Sequence, residues 1–274
     1  MATRNLVVVS DTHFGCRLAL CGSKPVPLDD GGAYTPSGLQ LKLAALWDEF
    51  FNEFVPLATR GEPWDLVING DVLEGMHHRA TTPISQNPVD QKRIALAVLE
   101  PIVARAQRYF HIRGTEAHVG SSAHMEEDVA HTLGAIPNAE GQHARYDLWV
   151  EVGGALVHLL HHIGSTGSQA YEATAVHKEL VEHYAEAARW AERPPTVVVR
   201  SHRHRYIQTR VPTAEGHAIC VVTPCWQGKT PFAWKIPGAR LSLPQFGGIV
   251  IRWSEEDEIY VRDRVWTPQR SKIE

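Results

Sequence analysis

Two kinds of hydrophobic run alternate along the chain. Short, unbroken, β-branched stretches recur at Leu6–Val9, 65–70, 109–113, 196–200 and 217–223. Continuous apolar runs of this length suit strands buried on both faces. Between them, apolar residues fall three and four apart: Leu39, Leu43, Leu46, Phe50 and Phe54, then Ile94, Val98 and Ile102. That spacing predicts helices over 39–57 and 89–107. A short acid-rich helix is expected at 123–133, and a longer one at 169–190, capped by Ser168 and ended by Pro194–Pro195. Strands 146–152 and 155–161 flank Gly153–Gly154, the signal of a two-residue hairpin turn. Further strands are expected at 206–211, 248–253 and 258–264. Strand–helix alternation thus gives way to a strand-rich second half, without a repeat or an obvious linker. This order predicts one α/β domain over residues 1–274, built on two sheets with helices outside.

The apolar runs are most informative where they stop. Five end on acids or imidazoles: Asp11 with His13, Asp71, Glu116 with His118, His161 with His162, and His202 with His204. Strand ends of an α/β sheet converge on one edge, where ligands bind. Singly, each residue has a bland use as a turn former, a helix cap or a solvated imidazole. Five such endings in one chain call for a shared partner. Carboxylates and imidazoles without thiolate suit manganese, iron, nickel or zinc. The set exceeds what one ion can take, and two ions roughly 3.5–4 Å apart form a clamp for a tetrahedral phosphorus centre.

Composition narrows the setting. Hydrophobic residues make up 43% and charged residues 21%, enough for a buried core, while a net charge of −4 offers no global basic field for nucleic acid. Histidine, at 16 residues, is concentrated at the strand ends just named. No apolar run approaches the roughly 20 residues of a membrane-spanning helix. The first strand follows Met1–Asn5 directly, leaving no room for a signal peptide, so a cytoplasmic location is expected. Cys16, Cys21, Cys220 and Cys225 fall in two equally spaced pairs. A four-thiolate zinc site is the weaker reading beside reduced structural thiols.

In order, these segments resemble the signature of the calcineurin-like metallophosphoesterases. Asp11-Thr-His13 looks like the family's Asp-x-His, and Gly70-Asp-Val-Leu-Glu74 like its Gly-Asp-x-x-(Asp/Glu). Gly114-Thr-Glu-Ala-His118 stands where the family has Gly-Asn-His; His161-His162 and Ser201-His-Arg-His204 match the last two motifs. The stretch Pro224–Phe232 is also similar to members found in phage and prophage genomes.

The resemblance implies a four-layer αββα sandwich of two mixed β-sheets flanked by helices, with a metal site at the strand ends. It implies two divalent ions, manganese first, with iron, nickel or zinc as alternatives. Asp11, His13 and His204 would hold one ion, and Asp71 would bridge both. His161 or His162, with His202, would hold the second, together with a substitute for the missing Asn: Glu116 or Thr115. Glu116 is preferred, because a carboxylate binds cations more strongly than a hydroxyl. His118 would serve the leaving-group oxygen as general acid or hydrogen-bond donor.

Around this centre Glu74 would orient a ligating histidine, and Ser201 replaces the family's Gly, a mild change unless the turn needs positive φ. Arg113 and Arg203 would pair with phosphate oxygens or anchor strand ends, and His77 and His78 would touch substrate. The implied reaction is hydrolysis of a phosphomonoester or phosphodiester by a hydroxide held between the ions. Its substrate would be a phosphate ester, with nucleotides or nucleic acid as candidates, no membrane partner and an open oligomeric state. The rival readings are a catalytically impaired metal-binding scaffold of the same fold, a small-molecule phosphatase, or a single-metal hydrolase of another bond.

Overall fold

The computed structural model describes residues 3–77, 80–120, 122–164, 169–236, 239–254, 256 and 258–269. The expectations for His78 and Ser168 lie outside these residues. In chain order the strands are β1 (Asn5–Val9), β2 (Val26–Pro27), β3 (Ala33–Tyr34), β4 (Asp65–Asn69), β5 (Tyr109–Ile112), β6 (Ala144–Arg145) and β7 (Asp147–Val152). They continue with β8 (Ala155–Leu160), β9 (Val197–Arg200), β10 (Ile207–Thr213), β11 (Gly216–Val222), β12 (Phe246–Trp253) and β13 (Ile259–Trp266). The α-helices are α1 (Gly38–Glu49), α2 (Val55–Thr59), α3 (Pro88–Val103), α4 (Glu116–Val119), α5 (His124–Thr132) and α6 (Glu172–Trp190).

Two sheets carry the fold. One has the order β13-β12-β1-β4-β5-β6, the other β10-β11-β9-β8-β7. Both are mixed: β1, β4, β5 and β6 run parallel, β12 runs antiparallel to β1, and β13 antiparallel to β12. In the second sheet β8, β9 and β11 are parallel and the edge strands β7 and β10 are not. Strand parity then builds the layers. Leu6, Val8, Val67, Ile249 and Ile251 face Val157, Leu159, Val197, Val199, Ile219 and Val221 across the space between the sheets. Val7, Val9, Leu66, Ile68 and Val250 face the opposite way, under Leu43, Trp47, Ile94, Leu99 and Val129 of the helices. On the far side, Val198, Cys220 and Val222 pack beneath Val176 and Leu180 of α6. The result is the expected αββα sandwich. Burying each such aliphatic side chain is worth about 1.5–3 kcal/mol, so both faces of each central strand must be apolar.

Most predicted elements lie within a few residues of the observed ones. Ser37 starts α1 with a full capping box to Gln40. The helix expected at 39–57 passes through a π-helical turn at Phe50–Phe54 before α2. That turn seats Phe51 against Trp47, and Phe50 against Phe51 and Trp226. Val152 pairs with Ala155, confirming the two-residue turn. Strand β6 and helix α4 are too short to show in a periodicity. No helix among the described residues is long and apolar enough to cross a membrane.

Candidate metal centre at the strand ends

Beyond β1 and β4 the chain stays paired: Asp11, His13 and Phe14 donate backbone N–H groups to the carbonyls of Gly70, Asp71 and Val72 at 2.7–3.0 Å. The side chains are turned by unusual backbone. Asp11, His13, Asp71, His202 and His204 all have positive φ, between 44° and 70°. Non-glycine residues pay a steric penalty there, and such conformations gather at functional sites. Ser201 is not among them, so its Cβ brings no left-handed strain.

These turns bring two groups of ligand-type side chains together. Asp11, His13 and His204 form one, and Asp71, His161 and His202 the other; within each, the ligand atoms lie within 4.8 Å of one another. The His204 Nε2 is 3.3 Å from Asp11 Oδ1 and 3.2 Å from His13 Nε2. His161 Nε2 joins the groups, 3.1 Å from Asp71 Oδ2 and 4.0 Å from Asp11 Oδ1. His202 Nδ1 is 3.9 Å from Asp71 Oδ2. Asp11 Oδ1 is buried and accepts no hydrogen bond, a lone pair aimed into the centre. The oxygen–nitrogen donor set and this orphaned atom fit a borderline divalent cation.

The charges agree. Burial would raise the Asp11 carboxyl, but His204 and His161 outweigh it and bring Asp11 to about 2. Burial likewise opposes, and His161 and His118 overcome it, in holding Asp71 well below the carboxylate range. Both acids are therefore anions at neutral pH. Burial alone would lower His161, but Asp71 and Asp11 push it up to about 10. A proton on that ring and a divalent cation answer the same carboxylates, so they compete.

Glu74 is buried, with Oε2 3.4 Å from His13 Nδ1; Thr82 and Gln227 each donate to its carboxylate at 2.8 Å. It fixes the ring of His13 so that Nε2 faces the centre. His118 donates from Nδ1 to the Glu74 carbonyl at 2.7 Å, which leaves Nε2 for a reactant. Burial, reinforced by His13, lowers His118 to about 4. His77 lies beside it, its ring centroid 4.4 Å from that of His118.

Glu116 is not brought to either group. It is exposed on the first turn of α4, and Thr115 stands in its stead. The Thr115 backbone N–H and hydroxyl both donate to Asp71 Oδ1, at 2.7 and 2.9 Å. Thr115 is the extended residue before α4 and Glu116 its first helical residue, so the backbone changes direction between the two side chains. Of the adjacent histidines, buried His161 joins the centre, while exposed His162 stays outside, 5.5 Å ring to ring from His202. Arg113 does not reach the ligand groups. It donates to the Ala144 carbonyl and lies 4.5 Å from the centre of the Tyr146 ring. Arg203 donates to the Gly164 carbonyl. The four cysteines are free, buried and outside every metal-capable group among the described residues.

Several supporting residues are absent from the sequence reading. Glu126 of α5 is fully buried and accepts the N–H groups of Val72 at 2.9 Å and Gly114 at 2.6 Å, tying together the loops after β4 and β5. Its place was legible: it is three and seven residues before Val129 and Leu133, on the apolar face of that acid-rich helix. A chain of short hydrogen bonds runs from Asn69 through Ser201 and Thr223 to Ser10, which donates to Asp11 Oδ2. The Ser201 hydroxyl is thus in use. Close approach excludes a side chain at two glycines: a Cβ at Gly70 would strike the His161 ring, and one at Gly114 the Asp71 carboxylate.

No protein-family model matches the chain, and no curated protein matches it in sequence. Among solved structures it is similar to Vps29 of Chaetomium thermophilum, 11% identical over 96% of this chain and 98% of that one, with a TM-score of 0.43. It is similar to Vacuolar Protein Sorting 29 of Cryptosporidium parvum at 12% identity, 98% and 100% coverage and a TM-score of 0.38. A third likeness is sulfate thiohydrolase SoxB of Thermus thermophilus: 10% identity, 97% of this chain, 57% of that one, TM-score 0.43. Likenesses of this size carry no chemistry over to the present site.

Proposed function

We propose that the protein is a calcineurin-like metallophosphoesterase that hydrolyses phosphate esters with two divalent cations. The carrying observation is the pair of adjoining ligand groups, Asp11–His13–His204 and Asp71–His161–His202, on one strand-end edge. In this reading the first group would hold one cation and the second group the other, Asp71 would serve both, and Thr115 orients Asp71. Manganese is the first candidate for such a mixed carboxylate–imidazole set. When bound, the cations supply Lewis acidity toward a phosphoryl oxygen and lower the pKa of water. Asp11 and Asp71, held as anions, keep the centre attractive to cations at neutral pH. Glu74 and the Asn69 carbonyl, the latter 2.6 Å from His161 Nδ1, orient the rings of His13 and His161.

His118 faces the reactant through Nε2. Its first proton is committed to the Glu74 carbonyl, so it donates from Nε2 only after taking up a second. A phosphate's negative charge favours that uptake, and the proton then passes to the departing oxygen. Four unpaired buried thiols support a reducing, cytoplasmic setting. The phage-type affiliation has its support in 224–232.

Elemental analysis of the purified protein should find two ions per chain, and manganese added to stripped protein should restore turnover of bis(p-nitrophenyl) phosphate. Asp71→Asn should lower that turnover by at least about 100-fold; wild-type turnover in this variant would refute the proposal. A non-catalytic metal-binding scaffold is the second reading, favoured by the neutral Thr115 where the family has an amide ligand. Two bound ions without ester turnover would select it.

A further inference from the structure

Two exposed aromatic rings lie on segments that adjoin the strand-end edge, and each has a cation on its face. Tyr146 is 67% exposed with the Arg113 guanidinium 4.5 Å from its centre; Trp234 is 58% exposed with Lys229 Nζ at 3.6 Å. Both spring from segments built into the centre. Arg113 is two residues before Thr115, which binds Asp71. The segment leading to Trp234 begins at Trp226 and Gln227, which hydrogen-bond the Asp11 carbonyl and the Glu74 carboxylate.

The strand order sets the segments that carry the rings on opposite sides of the metal-capable turns. In the six-stranded sheet the sequence β12-β1-β4-β5-β6 places the metal-capable turns after β1 and β4. Tyr146 follows the edge strand β6, and on the other side the segment 228–245 enters β12, the neighbour of the edge strand β13. Four strand spacings of about 4.8 Å put β6 and β12 roughly 19 Å apart, with β1 and β4 and their metal-capable turns between them.

The 228–245 segment has a marked composition. It carries Lys229, Lys235 and Arg240 and no acid, in a chain whose net charge is −4. Phe232, Trp234, Ile236 and Leu241 within it are all exposed. Lys229 donates to the carbonyls of Arg240 and Ser242, at 2.6 and 2.8 Å, so the segment is braced beneath the Trp234 ring. Exposed rings backed by cations, along a basic margin, are the recognition chemistry of unpaired bases on a phosphate backbone. The net charge of −4 speaks against the broad phosphate contacts of a duplex.

We propose that this edge binds single-stranded nucleic acid, with bases stacked on Trp234 and Tyr146 and a backbone phosphodiester set over the metal centre between them. This rests on the phosphoesterase reading for its chemistry and on the two rings for its substrate. Hydrolysis adds water across one P–O ester bond: the hydroxyl goes to phosphorus and the proton to the departing ribose or deoxyribose oxygen.

The test is fluorescence anisotropy of the manganese-loaded full chain with labelled oligo(dT) and oligo(rU) of 20 nucleotides, in rising salt. Wild type should bind either or both, weakening as salt rises. Trp234→Ala and Tyr146→Ala should each weaken binding by about 5-fold or more, with Trp234→Phe recovering most of the loss. Both changes are at exposed positions, and circular dichroism of each variant checks its folding. Unchanged binding in the double variant would overturn the proposal. So would the absence of wild-type binding to the oligomers, or binding only to vesicles of phosphatidylglycerol, which would mark the segment as a lipid-surface contact. Turnover of bis(p-nitrophenyl) phosphate by wild type reports the underlying reading separately. An inactive protein that binds oligomers through the rings fails that reading and keeps the surface; an active one that ignores them does the reverse.

Discussion

Thr115 and Glu116 are neighbours, yet only Thr115 touches Asp71. Its hydroxyl and backbone N–H crowd Oδ1 and direct the second carboxylate oxygen, Oδ2, toward His161. Thr115→Val keeps the shape and the backbone donor but loses the hydroxyl. We expect it to weaken manganese binding at the second group by about 10-fold, the usual effect of removing a residue that orients a ligand. Glu116→Gln should leave the affinity within about 2-fold, because surface changes remote from ligands have small effects. Isothermal titration of both variants decides the assignment: the opposite ranking would make Glu116 the ligand in solution.

At the scale of elements, α5 and the outer face of the second sheet each carry a buried polar group with a measurable role. Glu126 gives one carboxylate oxygen to each of two backbone donors, and glutamine has only one acceptor oxygen to offer. Glu126→Gln should therefore cost about 1–3 kcal/mol, the range for a buried donor left unmatched. The urea midpoint should fall with the slope unchanged, as for a mutation that alters stability alone. An unchanged midpoint would show that the two loops hold together without it.

On β8, His158 lies against His183 at 3.0 Å and Arg200 at 3.4 Å, with Asp147 at 3.8 Å and the Trp149 ring stacked on it. Burial, then the charge of Arg200, lowers it from 6.5 to about 3. The unfolded chain takes up this proton below pH 6.5 and the folded chain only near pH 3. Stability from this group is thus complete above pH 6.5 and falls as the pH drops toward 3, by about 2 kcal/mol at pH 5. His158→Gln should show a smaller drop in urea midpoint between pH 7.5 and 5 than wild type; an equal drop would place the acid sensitivity elsewhere.

For the whole molecule, the proposed centre joins both sheets, because His161 and His202 come from the second and Asp11 and Asp71 from the first. Cations held there would brace the sandwich. Manganese at 100 times its dissociation constant should stabilise the protein by about 2.7 kcal/mol. For a chain of this size that corresponds to a rise in Tm of roughly 5–10 °C. Chelator should reverse the rise in a thermal scan, and Asp71→Asn should abolish most of it. A Tm indifferent to manganese would mean that the two sheets do not share an ion.

The sequence by itself determined the long strands and the residue types at their ends. Unbroken β-branched runs and acids or histidines at their stops are local facts, requiring only burial and a terminus. The sandwich was legible for the same reason, since central strands apolar on both faces need a layer on each side. Choices between neighbours were decided only by the tertiary structure. His161 continues the inward parity of Val157 and Leu159, whereas His162 points out, but both parities of Ala155–Leu160 are largely apolar and conceal the face. Thr115 and not Glu116 meets Asp71, because a single helical turn, too short to leave a period, begins between them. Glu126, Ser201 and Thr223 act on partners 12 to 132 residues away in the chain. Hydrogen bonds of that reach leave no local pattern, and only packing reveals them.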